Sequence, residues 1–227
     1  MKVLIVCSGN IKNFSFQINQ PFVFDQTQAI KKVDPSIEFS YFFIKGKGWT
    51  GYLKNLKALK KELKENQYDF IHAHYGSSIL LSVLQRKVPV IGTYHGCDLN
   101  RKRNRIPSNI SSALSKHSIV VSYKLYTKVW LKRGVSIIPC GVDFDLFYRI
   151  DRKKARKQLK IDLNKKVILF SSAFSNKVKN FLLAKKAIAI LNDPEIIVLE
   201  LKECERKDVK ILMSAANIAL MTSFREG

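Results

Sequence analysis

Short apolar runs recur along the chain with amphipathic segments between them, and this alternation limits the fold more than any other feature. Lys2 to Cys7, Ile37 to Ile44, Tyr68 to His74, Val88 to Thr93, Ser118 to Ser122 and Val135 to Ile138 each have the length of a strand. Lys2 to Cys7 is apolar almost throughout rather than at alternate positions. That is what a strand covered on both faces requires, and both faces are covered when helices cross over between parallel strands. The intervals supply the helices. Gln17 to Val33 reads as a helix with Pro21 near its start, and Leu53, Leu56, Leu59 and Leu63 recur at three- and four-residue steps with solvent-facing lysines opposite. Ser77 to Gln85 predicts a short apolar helix, and Tyr123 to Arg133 another that Gly134 stops. Residues 1–147 are therefore expected to form one Rossmann-like, doubly wound α/β domain.

After Pro139-Cys140-Gly141-Val142-Asp143 the pattern relaxes, and residues 148–160 read as a basic linker carrying a helix from Arg152 to Leu159. The alternation then restarts. Val167 to Ser171, Ile196 to Leu201 and Ile218 to Met221 are strands; Phe181 to Leu191 is a helix with Leu182, Leu183, Ile188 and Leu191 inward, and Asp208 to Ala216 is another. Residues 161–227 thus predict a partial second Rossmann-like domain. A three-stranded parallel sheet has an unpaired edge and an incomplete helical cover, so this half is expected to be poorly closed.

With 227 residues, 46% of them hydrophobic, the chain buries a sizeable core. No apolar stretch approaches the ~20 residues of a membrane span, and the opening Met1 to Cys7 run is cut by Ser8-Gly9-Asn10 before a signal-peptide core is complete. Cys7, Cys97, Cys140 and Cys204 show no C-x-x-C spacing, which points away from a disulfide framework or zinc and toward reduced cytosolic thiols. Charge is the unusual feature: 40 Lys plus Arg against 18 Asp plus Glu give +22. Arg101 to Lys160 holds 16 basic and 3 acidic residues, so this quarter of the chain supplies 13 of the net charges. Arg101-Lys102-Arg103-Asn104-Arg105 and Arg152-Lys153-Lys154-Ala155-Arg156-Lys157 are its densest parts. Such a field attracts anionic lipid, phosphorylated substrates or nucleic acid, or is simply a solvated face. Nucleic acid is not expected, because the first cluster has no interleaved aromatics for base stacking and no reader motif.

Chemistry concentrates at Thr93-Tyr94-His95-Gly96-Cys97-Asp98, where an imidazole meets a glycine at the end of a buried run. In an open parallel sheet the crevice lies outside the carboxyl ends of the strands, so a histidine leaving a strand tip faces substrate, the alternative being a structural histidine. His72 and His74 stand two apart on one strand face, a spacing that suits a metal, but no third ligand is evident and packing with cleft lining is the favoured reading.

Five segments carry a resemblance. Asp69-Phe70-Ile71-His72-Ala73-His74-Tyr75-Gly76, Thr93 to Asp98, Ile138-Pro139-Cys140-Gly141-Val142-Asp143 with Phe147 beyond, Val178-Lys179-Asn180, and Ser223-Phe224-Arg225-Glu226-Gly227 occur in the order seen in glycosyltransferase family 4, which the chain resembles over nearly its whole length. The resemblance implies an α/β fold of the GT-B type. It also implies metal-independent, typically retaining transfer of a sugar from a nucleotide-diphosphate-sugar donor to a glycan or lipid-linked acceptor, as in cell-surface polysaccharide biosynthesis. The donor is then a substrate and no cofactor is needed. His95 and Glu226 correspond to catalytic residues, His95 beside the transferred sugar and Glu226 as the first glutamate of an E-x7-E motif. Gly9, Asn10, Gly96, Asp98, Lys179 and Gly227 fall at substrate-binding positions, with Lys179 on the diphosphate. A single glycine, Gly9, stands where the family commonly has two; Phe174 and Ser175 stand where an arginine usually accompanies the lysine, with Lys177 as a substitute. The second glutamate of the motif would fall beyond Gly227, so a fragment with little activity is expected. A cytoplasmic enzyme in peripheral contact with the anionic inner face of the plasma membrane fits the basic band. The reading from another class is a non-catalytic remnant or a basic binding protein.

Overall fold

The computed structural model describes residues 1–46, 48–202 and 204–226, and these divide into two compact units, 1–141 and 142–226. In the first unit β1 (Lys2–Ser8), α1 (Phe16–Asn19), α2 (Pro21–Val33), β2 (Glu38–Ile44), α3 (Gly48–Glu65), β3 (Phe70–His74) and α4 (Gly76–Val83) follow in chain order. After them come β4 (Val90–Tyr94), α5 (Cys97–Asn100), α6 (Lys102–Leu114), β5 (His117–Val120), α7 (Tyr123–Tyr126) and β6 (Val135–Ile137). All described pairings are parallel, in the order β2-β1-β3-β4-β5-β6. Val3 to Cys7 are all buried, the two-faced cover that their continuous apolarity required. Leu4 and Val6 pack on one side with Ile71, Ala73, Ile79 and Leu59, while Val3 and Ile5 pack on the other with Val23 of α2. From β1 the chain turns one way to β2 and then returns past β1 to β3. That reversal opens a crevice at the carboxyl ends of β1 and β3, the place where doubly wound sheets bind ligands.

Several expectations are corrected here. The helix expected over Gln17 to Val33 is two helices, broken at Gln20 because Pro21 occupies the first position of α2 and has no N–H to continue α1. The helix expected over Tyr123 to Arg133 ends at Tyr126. Tighter i to i−3 bonds carry the chain to Val129, and there the side chain of Asn109 on α6 takes over, bonding the Lys128 carbonyl at 3.3 Å and the Trp130 N–H at 2.6 Å in place of further helical bonds. Helix α6 itself was not expected. Its inward face is Ser108, Asn109, Ser111 and Ser112, so no apolar periodicity toward the core announced it.

The second unit contains α8 (Arg152–Gln158), β7 (Lys166–Phe170), a 3-10 turn (Lys177–Lys179), α9 (Phe181–Leu191), β8 (Ile196–Glu200), α10 (Arg206–Ala215) and β9 (Ile218–Leu220). Its strands are parallel in the order β8-β7-β9, the same reversal as in the first unit. The division falls after Gly141 rather than after 147, and the segment expected as a linker at 148–160 is part of this unit. Helix α8 packs against α10, and Arg156, part of a basic cluster read as attracting anions or as a solvated face, is buried. Its guanidinium donates to the carbonyls of Ala215 and Leu163 and to Asn217 Oδ1, and Asn217 Oδ1 also accepts from the Val167 N–H at 2.8 Å. A guanidinium spends its donors on backbone acceptors more readily than an ammonium, which is how a cation serves here as a core strut. In α9 the stacking of Phe181 on Phe174, at 3.8 Å between ring centroids, and the burial of Ala184 set the helix rotation. Leu182, Leu183 and Leu191, expected inward, are therefore exposed, and Ile188 is half-buried. Among the described residues no helix is long and apolar enough to cross a membrane.

Candidate active site

At the crevice between β1 and β3 lies a cavity of about 300 Å³, lined among others by Ser8, Gln20, Tyr75, Ser77, Asp98 and Asn104. Hydroxyls, amides and two tyrosine rings, those of Tyr52 and Tyr75, offer hydrogen bonds and ring faces to a small polar ligand. Tyr75 leaves β3 with φ 70° and ψ 139°, a conformation that a bulky L-residue adopts only under constraint and that costs on the order of 1–3 kcal/mol. The constraint is local: its N–H donates to the Thr93 carbonyl at 3.0 Å and its ring lies 4.6 Å from that of His95. Burial pushes its hydroxyl up to about 12, so it stays a neutral donor and acceptor. Sequence reasoning assigned Tyr75 no role; an aromatic wedged between a strand tip and a glycine was the available signal.

His95 is held from both sides. Its N–H donates to Asp98 Oδ2 at 2.8 Å, while Asp98 Oδ1 accepts from the Gly76 N–H at 2.9 Å. The Asp98 carboxylate is buried and joins the loop after β3 to the loop after β4, so the side chain expected at substrate is a clamp at the edge of the cavity. Burial raises its pKa and the backbone N–H donors offset part of that rise. Gly96 has φ 122°, which only glycine adopts freely, and this lets the chain turn into α5 between His95 and Asp98.

Behind His95 stand two more imidazoles. His74 Nδ1 lies 3.1 Å from His95 Nε2, and His72 Nε2 lies 2.8 Å from Thr93 Oγ1. Burial depresses all three: His72 and His95 to about 4, and His74 well below its ordinary value with the two neighbours adding to the effect. All three are neutral at pH 7. The buried Nε2 of His74 has no protein partner, which favours one tautomer over the other. A buried orphan N–H is rarer than a buried orphan acceptor, so the His74 proton sits on Nδ1 and is donated to His95 Nε2. His95 then carries its own proton on Nδ1. The histidine pair that spacing would offer to a metal is thus engaged with Thr93 and His95. Among the described residues no group of three or more His, Cys, Asp or Glu is placed to hold a metal ion.

Gly9 and Asn10 follow β1 as expected, but the glycine is required by packing: a Cβ there would lie 2.9 Å from that of Phe43 on β2. Asn10 Nδ2 donates to Ser8 Oγ at 3.1 Å and so supports the cavity wall rather than entering it.

Lys179 and Glu226 belong to the second unit, which brings them together across 47 positions with Nζ 2.6 Å from Oε1. The chain after β9 is stitched to the turn between β7 and α9. Thr222 Oγ1 donates to the Lys179 and Asn180 carbonyls at 3.0 and 2.9 Å, and the Phe224 N–H donates to the Val178 carbonyl at 3.0 Å. The pair therefore brackets the strand-order reversal of this sheet at its carboxyl edge, beside the N-terminus of α9. Lys177 is exposed. Glu200, unassigned by sequence, accepts from the Phe174 N–H at 2.7 Å and shapes the same turn. Gly227 lies outside the described residues.

A family model described as Glycosyltransferase Family 4 matches residues 18–146. No curated protein matches the chain in sequence. Among solved structures it is similar to sucrose-phosphate synthase from Thermosynechococcus elongatus, with a TM-score of 0.79 at 14% identity over 99% of this chain and 76% of that one. Similarity extends to Anabaena Alr3699/HepE in complex with UDP, with a TM-score of 0.67 at 15% identity over 99% and 74% of the two chains. The lipopolysaccharide outer core galactosyltransferase WaaB in its apo form gives 0.65 at 12% identity over 98% and 74%.

Proposed function

The chain belongs to glycosyltransferase family 4 and has the GT-B fold, and from that premise we propose that it moves a hexose from a nucleotide-diphosphate donor to a glycan or lipid-linked acceptor in cell-surface polysaccharide biosynthesis. Transfer proceeds with retention and without a divalent cation, in the cytoplasm and in peripheral contact with a membrane. The observation that carries the reading is the Lys179 to Glu226 pair at the strand-order reversal of the second sheet. A leaving nucleoside diphosphate needs its negative charge offset, and an ammonium beside a helix N-terminus offers that without a metal. Glu226, freed from Lys179 when the diphosphate arrives, accepts hydrogen bonds from donor hydroxyls. In the first unit the cavity at β1 and β3 takes the acceptor, and His95, a neutral Nδ1–H donor, bonds the transferred sugar.

Uridine is the base to test first, because similar solved structures include Alr3699/HepE in complex with UDP-glucose. Titration calorimetry with UDP should show saturable binding that Lys179→Ala weakens and EDTA leaves unchanged. Binding that ignores the base, disappears with added salt and is indifferent to Lys179→Ala is the signature of the alternative, a basic binding protein.

A further inference from the structure

Helix α6 is turned the wrong way round for an ordinary surface helix. Its buried face is polar, and every hydroxyl on it is bonded: Ser108 Oγ donates to the Asp98 carbonyl, Ser111 Oγ meets the Tyr94 hydroxyl at 2.8 Å, and Ser112 Oγ meets Ser118 Oγ at 2.9 Å. Its outward face is apolar, with Ile106, Ile110 and Leu114 exposed by 58, 45 and 57% at four-residue steps. The serine network fixes this rotation, so the isoleucines cannot be relieved by rolling the helix inward. Asn109 ties the turn after α7 to the same helix, and that turn holds Trp130 outward, 62% exposed. A contiguous apolar stripe of this kind on a soluble surface marks a contact.

Charge says with what. From residue 99 to residue 142 there are nine Lys and Arg and no Asp or Glu. Arg103 stands on the stripe one turn before Ile106, and Lys128, with Lys124 nearby, lies on the turn that Asn109 ties to this helix. The ammonium of Lys128, bonded to Asn100 Oδ1, is pushed down by burial and by Arg105 and Lys124 nearby. A second copy would bring the same charges against them. A nucleic acid would leave the isoleucines in water.

We propose that the outward face of α6, with the adjoining turn at Trp130, docks on an anionic lipid bilayer: Ile106, Ile110, Leu114 and Trp130 enter the headgroup boundary while the surrounding Lys and Arg meet lipid phosphates. An apolar stripe edged by cations, with tryptophan at the border, is the pattern of a helix lying in a membrane interface. This deepens the membrane contact proposed above and is separable from the transferase reading, since vesicle binding and UDP binding are measured independently.

The test is flotation of the full chain with vesicles of phosphatidylcholine alone and of phosphatidylcholine mixed with phosphatidylglycerol, with tryptophan emission recorded on the same samples. Binding should require phosphatidylglycerol and shift the emission to the blue, and Trp130→Phe should remove the shift. Ile106→Ser with Ile110→Ser should weaken binding on the order of tenfold or more. Arg103→Ser with Lys124→Ser should weaken it by about fivefold per charge, and this pair serves as the test if the isoleucine variant does not fold. Absence of binding to phosphatidylglycerol vesicles overturns the proposal. So does binding that both variants leave unchanged, or a loss of self-association in the isoleucine variant with vesicle binding intact.

Discussion

Acid should unfold the first unit, with a steepness set by the three imidazoles at its strand tips. In the unfolded chain each titrates near pH 6.5, whereas in the folded unit burial holds His72 and His95 to about 4 and His74 well below its ordinary value. Depressed histidines are neutral when folded, so their contribution is fully present above the unfolded value and is lost as pH falls toward the folded one. Across that window the unfolded state binds up to three more protons, a slope of about 4 kcal/mol per pH unit. By about pH 5 His72 and His95 have each cost about 2 kcal/mol and His74 acts in the same direction, a loss that reaches the lower end of the whole stability of a typical domain. Asp98, whose pKa is raised, opposes this by at most one proton near the lower end. Asp34, lowered by its bonds to Ser36, acts the same way as the histidines but below the window. Urea unfolding from neutral pH down to about pH 5 measures the slope, and His74→Phe should remove about one proton of it, roughly 1.4 kcal/mol per pH unit. An unfolding midpoint flat across this range would refute the argument. So would imidazole carbon shifts in the folded protein that titrate near the ordinary histidine value.

Asp98→Asn keeps the shape of the clamp but turns an N–H toward one of the two backbone donors it serves; a loss of about 1.5–3 kcal/mol is expected in urea unfolding, with sugar transfer falling as His95 loses its seat. Arg156→Met removes three hydrogen bonds from a buried cation and should lower the stability of the second unit by about 3 kcal/mol or more, read as faster amide exchange in β7 and α10 with β1 and β3 unchanged. Glu226→Gln splits two roles. The pair with Lys179 is partly solvated and contributes no more than about 1 kcal/mol, so UDP alone should bind up to about fivefold tighter once the competing carboxylate is gone. A UDP-sugar should lose affinity relative to UDP, because the hydroxyl acceptor is weakened. Equal changes for both ligands would show that Glu226 does not meet the sugar.

What the sequence disclosed and what it hid follow one physical rule. Strands β1, β3, β4 and β7 were legible because their residues match their surroundings: apolar side chains lie where both faces are covered. That His95, Lys179 and Glu226 lie where a sheet stops was legible, because the end of an apolar run marks that place without any tertiary knowledge. The misses are residues whose polarity contradicts their position. Ser108, Ser111 and Ser112 are buried because they find one another, Tyr94 and Ser118, partners up to 17 positions apart. Arg156 is buried because two carbonyls and an amide, two of them about 60 positions away, converge on it. Helical or strand periodicity reports polarity against an assumed inside, and it misleads wherever long-range bonds invert that assumption. The inversion in α6 is the informative case. The serine network secures the helix without its aliphatic residues, and those residues remain on the surface, where burial in a bilayer is the use that their charged surroundings favour.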